Sequence, residues 1–144
     1  MDISRRTDYA IRLVSALAES DGTPRSVRTV AEEYEVPYAF ARSIQHDLSL
    51  AGIVKSTRGV HGGMVLAKAP SELTLHDIIE SMQGVPSSAA CTKEENWCSR
   101  ESICPFHDVW VSLDEIVSDF LSSVSIRDIL DGRKPYLSQK AREL

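Results

Sequence analysis

The sequence contains no run of about 18 apolar residues, the length a membrane-spanning helix needs, so no transmembrane segment is expected. The opening stretch MDISRRTDYAIRLVSALAES sets an arginine pair before apolar residues, as a secretion signal does. Asp8, Arg12 and Glu19 interrupt it, and no long apolar core of a signal forms; a cytoplasmic protein is the expectation. Cysteine is scarce. Three thiols in 144 residues cannot all pair within one chain, and their packing into one segment points to metal rather than a disulfide scaffold. A positive charge excess is also missing: 16 Lys and Arg face 21 Asp and Glu, for a net charge of −5. That argues against nucleic-acid binding by the whole surface but permits a local basic patch. No phosphate loop, nucleophile–base pair or set of paired carboxylates at a recognisable spacing occurs, and neither does an internal repeat. A non-catalytic protein is expected. Apolar content of 42% suffices for a core, and the length suits one domain or one domain with an appendage.

What is present has a clear order. Ala10, Leu13, Val14, Leu17 and Ala18 recur at helical spacing, and Asp21-Gly22-Thr23-Pro24 ends that helix. The stretch VRTVAEEYEVPYAFARSIQHDLSLAGIV reads as two short helices around a break at Glu35-Val36-Pro37. Val30, Ala31 and Tyr34 face inward in the first, and Phe40, Ala41, Ile44 and Leu48 in the second. Gly52 caps the second helix. The period then changes to two: Ile53–Ser56 and Met64–Leu66 read as strands around the glycine-rich tip RGVHGG, a β-hairpin. Thr74 and Asp77 have capping-box spacing for a helix to about Gln83, with Gly84 at its end. A polar loop of about 20 residues follows, long for a connection without structure of its own. Pro105 is placed to start a helix at its favoured first position. Val109, Trp110, Leu113, Ile116, Val117, Phe120 and Leu121 give that helix a broad apolar stripe. Ser125 and Asp128 start a last short helix, and the tail after Gly132 is polar.

The expected fold class is therefore mainly α with a small β-hairpin: a winged helix–turn–helix followed by a long C-terminal helix. The second short helix of the helix–turn–helix pair can enter a DNA major groove. Tyr38, Ala39, Arg42, Ser43, Gln45 and His46 lie off its apolar stripe. Arg58, His61, Gly62 and Gly63 form a thin wing tip able to approach a minor groove, and Arg25, Arg28 and Lys55 are placed to reach phosphates. A helix–turn–helix used for protein contact has the same order; the wing favours double-stranded DNA. The acidic run Glu32, Glu33 and Glu35 must face away from phosphate. His46 and His76 read as an exposed surface residue and a residue beside a helix cap.

The three thiols fall in CTKEENWCSRESICPFH, with the spacing Cys-x6-Cys-x5-Cys-x2-His from Cys91 through Cys98 and Cys104 to His107. Thiolates so spaced suit zinc or an iron–sulfur cluster. The tight Cys-x2-Cys knuckle usual in structural zinc sites is absent, which favours a cluster. His107 is the local candidate for a fourth ligand, and a surface role explains it as well. Trp97 reads as a shield for the bound group or an anchor for the loop.

Together, Cys91, Cys98 and Cys104 behind the wing RGVHGGMVL resemble the bacterial family of IscR, NsrR and RirA, the Rrf2 superfamily. MDISRRTDYAIRLV, SELTLHDIIESMQG and SIRDIL are similar as well, so the resemblance runs from Met1 to about Leu130. It implies a homodimeric transcription regulator, a repressor, whose iron–sulfur cluster responds to nitric oxide, redox state or iron supply. It implies that the helix after the cysteines packs on its partner copy. It also offers two fourth ligands. His107 matches the histidine of members with a 2Fe–2S cluster, and Asp8 matches the aspartate that members with a 4Fe–4S cluster donate across the dimer. The first gap, six residues, departs from the usual spacing. Similarity around Asp8 favours 4Fe–4S, although an aspartate in a first helical turn is also favoured by the helix dipole alone. Zinc, or no metal with sensing by cysteine oxidation, is the alternative. The expected map is residues 1–70 for the winged domain, 71–90 for a connecting helix and linker, 91–104 for the cysteine loop, 105–131 for the dimerisation and final helices, and 132–144 for a flexible tail.

Overall fold

The computed structural model describes residues 1–94 and 97–133; most of the tail expected from 132 onward lies outside them. In chain order the elements are α1 (Arg5–Glu19), α2 (Val27–Glu33), α3 (Tyr38–Leu50), β1 (Val54–Thr57), β2 (Gly63–Leu66), α4 (Leu75–Gln83), α5 (Ala90–Lys93), α6 (His107–Ser122) and α7 (Ile126–Leu130). A 3-10 turn covers Glu101–Ile103. Mainly helical structure with one antiparallel hairpin is the expected class.

Ser4 starts α1 by accepting the Thr7 N–H at 3.1 Å, which satisfies one of the first turn's free donors. All five residues of its expected stripe are buried. Asp21 and Gly22, at φ 49° and 83°, stop it. Against this stripe pack α3, α4, α7 and β2, which makes α1 the centre of the core. Ala41, Ile44 and Leu48 of α3 are buried there. Phe40 is not: it is 47% exposed, its ring edge-on to Tyr9 with centroids 5.8 Å apart. It lies one position too early to share the inward line of Ala41, Ile44 and Leu48.

The end of α3 forms a Schellman cap. The Ile53 N–H reaches the Leu48 carbonyl at 2.9 Å and the Gly52 N–H that of Ser49 at 3.1 Å, with Gly52 at φ 70°. The chain then enters the hairpin, where Val54 opposes Leu66 and Thr57 opposes Gly63. Arg25 adds a further rung, exchanging backbone bonds of 3.0 and 2.7 Å with Met64.

Past the wing, Thr74 and Asp77 form the expected capping box and Gly84 closes α4 at φ 84°. Backbone bonds of 2.9 Å from Leu75 to Val124 and from Ile126 to Leu73 tie the start of α4 to that of α7. The helix after the cysteines starts later than expected, at His107 with Phe106 as its cap residue. The reason is local. Cys104 precedes proline and is extended, at ψ 118°, so the chain needs one more turn before the helix begins. Pro105 is therefore not the first helical residue. The cysteine segment also holds more order than a loop, namely α5 and the 3-10 turn. On α6 only Leu121 is buried, while Val109, Trp110, Leu113 and Ile116 stand exposed.

The capping box titrates. Burial raises the pKa of the Asp77 carboxyl, but hydrogen bonds from the Thr74 N–H and hydroxyl, helped by Lys68 and His76, outweigh burial and hold it below the ordinary carboxylate range. Its folded value lies below the unfolded one, so the stabilisation is full above the unfolded carboxylate range and is lost as pH falls through the depressed value. Thr74→Ala should cost about 1 kcal/mol at neutral pH in urea unfolding. Asp77→Asn should flatten the acid limb of the plot of unfolding midpoint against pH.

Candidate nucleic-acid interface and candidate metal centre

The outer face of α3 carries Tyr38, Ala39, Arg42, Ser43 and His46, all exposed, with Gln45 half-buried behind them. Burial of Ala41, Ile44 and Leu48 fixes this face, because the remaining positions of the helix must point away from the core. Two of these side chains are tied within the molecule. Gln45 Nε2 donates to Ser56 Oγ on β1 at 3.1 Å. Ser43 Oγ accepts from the Arg6 guanidinium of α1 at 2.9 Å. Arg28 stacks over the Tyr38 ring, 4.3 Å from its centroid, a cation–π contact that holds the guanidinium at the mouth of the helix pair.

Cations divide into paired and unpaired sets. Arg25 forms an ion pair with Glu33, so its charge is already answered, and one carboxylate of the acidic run is neutralised within the protein. Among the described residues Arg42, Lys55 and Arg58 have no such pair, and all three are exposed. His61 shares the wing tip with them. Gly62 and Gly63 have a packing reason of their own. A Cβ on Gly62 would lie 2.4 Å from the Thr57 carbonyl oxygen, and one on Gly63 2.6 Å from that of Arg25. Backbone atoms cannot yield there, so the wing is thin because it is closely packed.

The cysteines gather at the start of α6. Cys98, Cys104 and His107 line one open cavity of about 740 Å³ with Glu101 and Asp108. Cys91 lines a neighbouring cavity of about 830 Å³ that shares Glu101 and His107 with the first. All three thiols are free and half-buried. Nε2 of His107 lies 3.7 Å from Glu101 Oε1, while its buried Nδ1 has no hydrogen-bond partner among the described residues. Soft thiol donors beside an unpartnered imidazole nitrogen fit a thiolate-held group in chemistry. Within one chain the set is incomplete: among the described residues no three His, Cys, Asp or Glu side chains come close enough to hold a metal. Asp8 lines neither cavity and is paired with Arg12 at 2.9 Å. Trp97 is 59% exposed, so in the single chain it does not anchor its loop in the core.

Three residues of consequence carry no signal in the sequence reading. Asp114 of α6 accepts from the Ser88 N–H at 2.6 Å and from the Thr92 hydroxyl, which fastens the segment holding Cys91 to α6. Burial raises the pKa of its carboxyl, and these bonds outweigh burial to hold it low. Gln83 and Arg6 each bridge α1 to another helix. Such long-range polar partners have no period or spacing to betray them.

Residues 3–132 match the protein family Rrf2, described as iron-dependent transcriptional regulator. A helix–turn–helix-type transcriptional regulator of Aquifex aeolicus is 28% identical over 99% of this chain and 100% of its own. Among solved structures, CymR, the global cysteine regulator of B. subtilis, superposes with a TM-score of 0.72 at 25% identity, covering 93% of this chain and 99% of its own. T. potens IscR gives a TM-score of 0.70, also at 25% identity, covering 93% and 89%.

The packing of the wing makes a prediction independent of any ligand. Gly63→Ala should open the Arg25–Met64 rung, speed hydrogen exchange at the Met64 amide and destabilise the fold by about 1–3 kcal/mol. Lys55→Ala, at an exposed strand position, should leave stability within about 0.5 kcal/mol of wild type.

Proposed function

The chain belongs to the Rrf2 family of transcriptional regulators, and on that premise we propose that it is a homodimeric repressor whose DNA affinity is set by an iron–sulfur cluster held on its cysteines. DNA binding and transcriptional control come with the family; the sensor, the dimer and the residue roles are our reading. The observation that carries it is the grouping of Cys98, Cys104 and His107 around one cavity, with Cys91 next to it, beside the exposed face of α6.

On the DNA side, α3 enters the major groove. Tyr38, Ala39, Arg42, Ser43 and Gln45 face the bases, and Arg28 and Lys55 meet phosphates. Arg58 and His61 follow the minor groove on the tip that Gly62 and Gly63 keep thin. Arg25 acts mainly by pinning the wing, since Glu33 answers its charge. In two copies these contacts double, and the separation of the recognition helices selects half-sites about one helical turn apart.

The stripe Val109, Trp110, Leu113 and Ile116 supports the dimer, because apolar surface of this breadth on one helix is ordinarily covered. Pairing α6 with its copy brings the incomplete ligand set of one chain against the other. Cys91, Cys98 and Cys104 hold the cluster as thiolates. Asp8 of the partner subunit completes a 4Fe–4S site, with His107 and a 2Fe–2S site as the alternative. When bound, the cluster supplies a group reactive to nitric oxide, oxidants and iron supply. Asp8 sits on α1, and α1 packs directly on α3. A change at Asp8 therefore reaches the recognition helix through one packed contact.

A second reading without a cluster rests on the same thiols. They are free and half-buried, and no three-donor group forms within the described chain. Direct thiol oxidation, or a structural zinc, then replaces the cluster.

An anaerobic absorption spectrum with iron and sulfide counted decides between these. The cluster reading predicts a coloured protein whose absorbance is abolished by Cys98→Ser without loss of fold. Asp8→Ala should deplete it more than His107→Ala. A colourless protein with stoichiometric zinc, or with no metal, leaves the second reading. On the DNA side, Arg58→Ala should weaken binding by about 1–3 kcal/mol on the preferred duplex, measured against salt concentration.

A further inference from the structure

The first turn of α1 is fastened on two sides by side chains that the function described so far does not use. On one side stands Gln83, the last residue of α4. Its Oε1 accepts from the Thr7 hydroxyl at 2.6 Å and from the Ser4 N–H at 3.1 Å, and its Nε2 donates to the Asp2 carbonyl at 2.8 Å. Thr7 is fully buried, so its hydroxyl has no water to turn to. On the other side stands Arg6, whose guanidinium donates to Ser43 Oγ at 2.9 Å and forms an ion pair with Asp47. Ser43 and Asp47 are one helical turn apart on α3.

A surface ion pair adds little to stability, and Arg6 and Asp47 are each about a third exposed. Stability therefore does not account for an arginine that reaches across to two groups on the recognition helix at once. Its geometry does something else. It reinforces the rotation of α3 that burial of Ala41, Ile44 and Leu48 fixes, and with it the direction of Arg42 and His46. It also answers the one acidic side chain of α3, which otherwise brings negative charge toward phosphate. Arg6 is adjacent to Thr7 in the first turn of α1, and Gln83 holds Thr7.

We infer that Arg6 is a positioning residue for DNA reading and that Gln83 keeps it in place through Thr7. The end of α4 and the face of α3 are thus joined through one turn of α1. Gln83 is followed by Gly84, at φ 84°, where the chain turns toward the cysteine segment. The joint therefore lies on the short path between that segment and the DNA face. The inference rests on the DNA binding of the family and holds whatever the cysteines bind.

The test uses the full chain and two probes: a duplex selected by the wild-type protein from a randomised library, and a shuffled duplex of equal length and composition. The readout is the ratio of the two affinities, with thermal melting in parallel. Arg6→Gln and Gln83→Leu should each lower the ratio about tenfold. The double variant should be no worse than either single one, because both act through one joint. Gln83→Glu keeps the acceptor oxygen for Thr7 and Ser4 but loses the donor to the Asp2 carbonyl, so it should restore part of the ratio. Asp47→Asn should also lower the ratio, which keeps the inference open to refutation if Arg6→Gln or Gln83→Leu fails to fold. If Asp47→Asn instead strengthens both duplexes equally, the pair acts through charge alone and the inference fails. Equal losses on both duplexes in Arg6→Gln, additive losses in the double variant, or an unchanged ratio overturn it as well.

Discussion

Burial of one face of α1 is the constraint on which the rest of this molecule depends. Ala10, Val14 and Ala16 have no exposed surface, and Leu13 and Leu17 almost none. Small residues alternate with larger ones along that face, so α3, α4, α7 and β2 all come close to the same helix. Each packed element gains apolar burial worth roughly 25 cal/mol per Å², and each has its orientation set by the same surface. A regulator built this way cannot move α1 without moving α3, because close-packed interfaces change by steps rather than by gradual deformation.

The proposed DNA face follows from what that packing leaves outside. Once Ala41, Ile44 and Leu48 are buried, the direction of Arg42 and His46 is decided. The net charge of −5 does not conflict with binding to phosphate, because the charges are sorted in space. Glu33 is drawn onto Arg25 and Asp47 onto Arg6. Arg42, Lys55 and Arg58 remain exposed on α3 and the wing. Local arrangement outweighs the sum here because screening limits each exposed charge to about a Debye length, roughly 8 Å at physiological salt.

The helix after the cysteines follows the opposite rule. Most apolar residues of α6 stay outside, as it buries little beyond Leu121. The cysteine segment is latched to α6 by Asp114, which bonds Ser88 and Thr92, yet among the described residues no three-donor group forms around its thiols.

The sequence by itself determined the elements and their order. Helical spacing marked the buried face of α1, Gly52 the Schellman cap, Thr74 and Asp77 the capping box, and the change of period the hairpin, because each is a local signal read over a few residues. It misplaced Phe40 and the start of α6 by one or two positions, since side-chain direction and pre-proline geometry depend on more than spacing. It also marked the three thiols and their candidate partners, but not how far apart they stand. Tertiary structure alone decided the long-range polar partners: Gln83 on Thr7, Arg6 on Ser43 and Asp47, Asp114 on Thr92, Arg25 on Glu33. Hydrophobic burial needs only a face, which periodicity announces, whereas a hydrogen bond between distant residues needs one particular donor to meet one particular acceptor. That meeting is fixed only once the helices have packed.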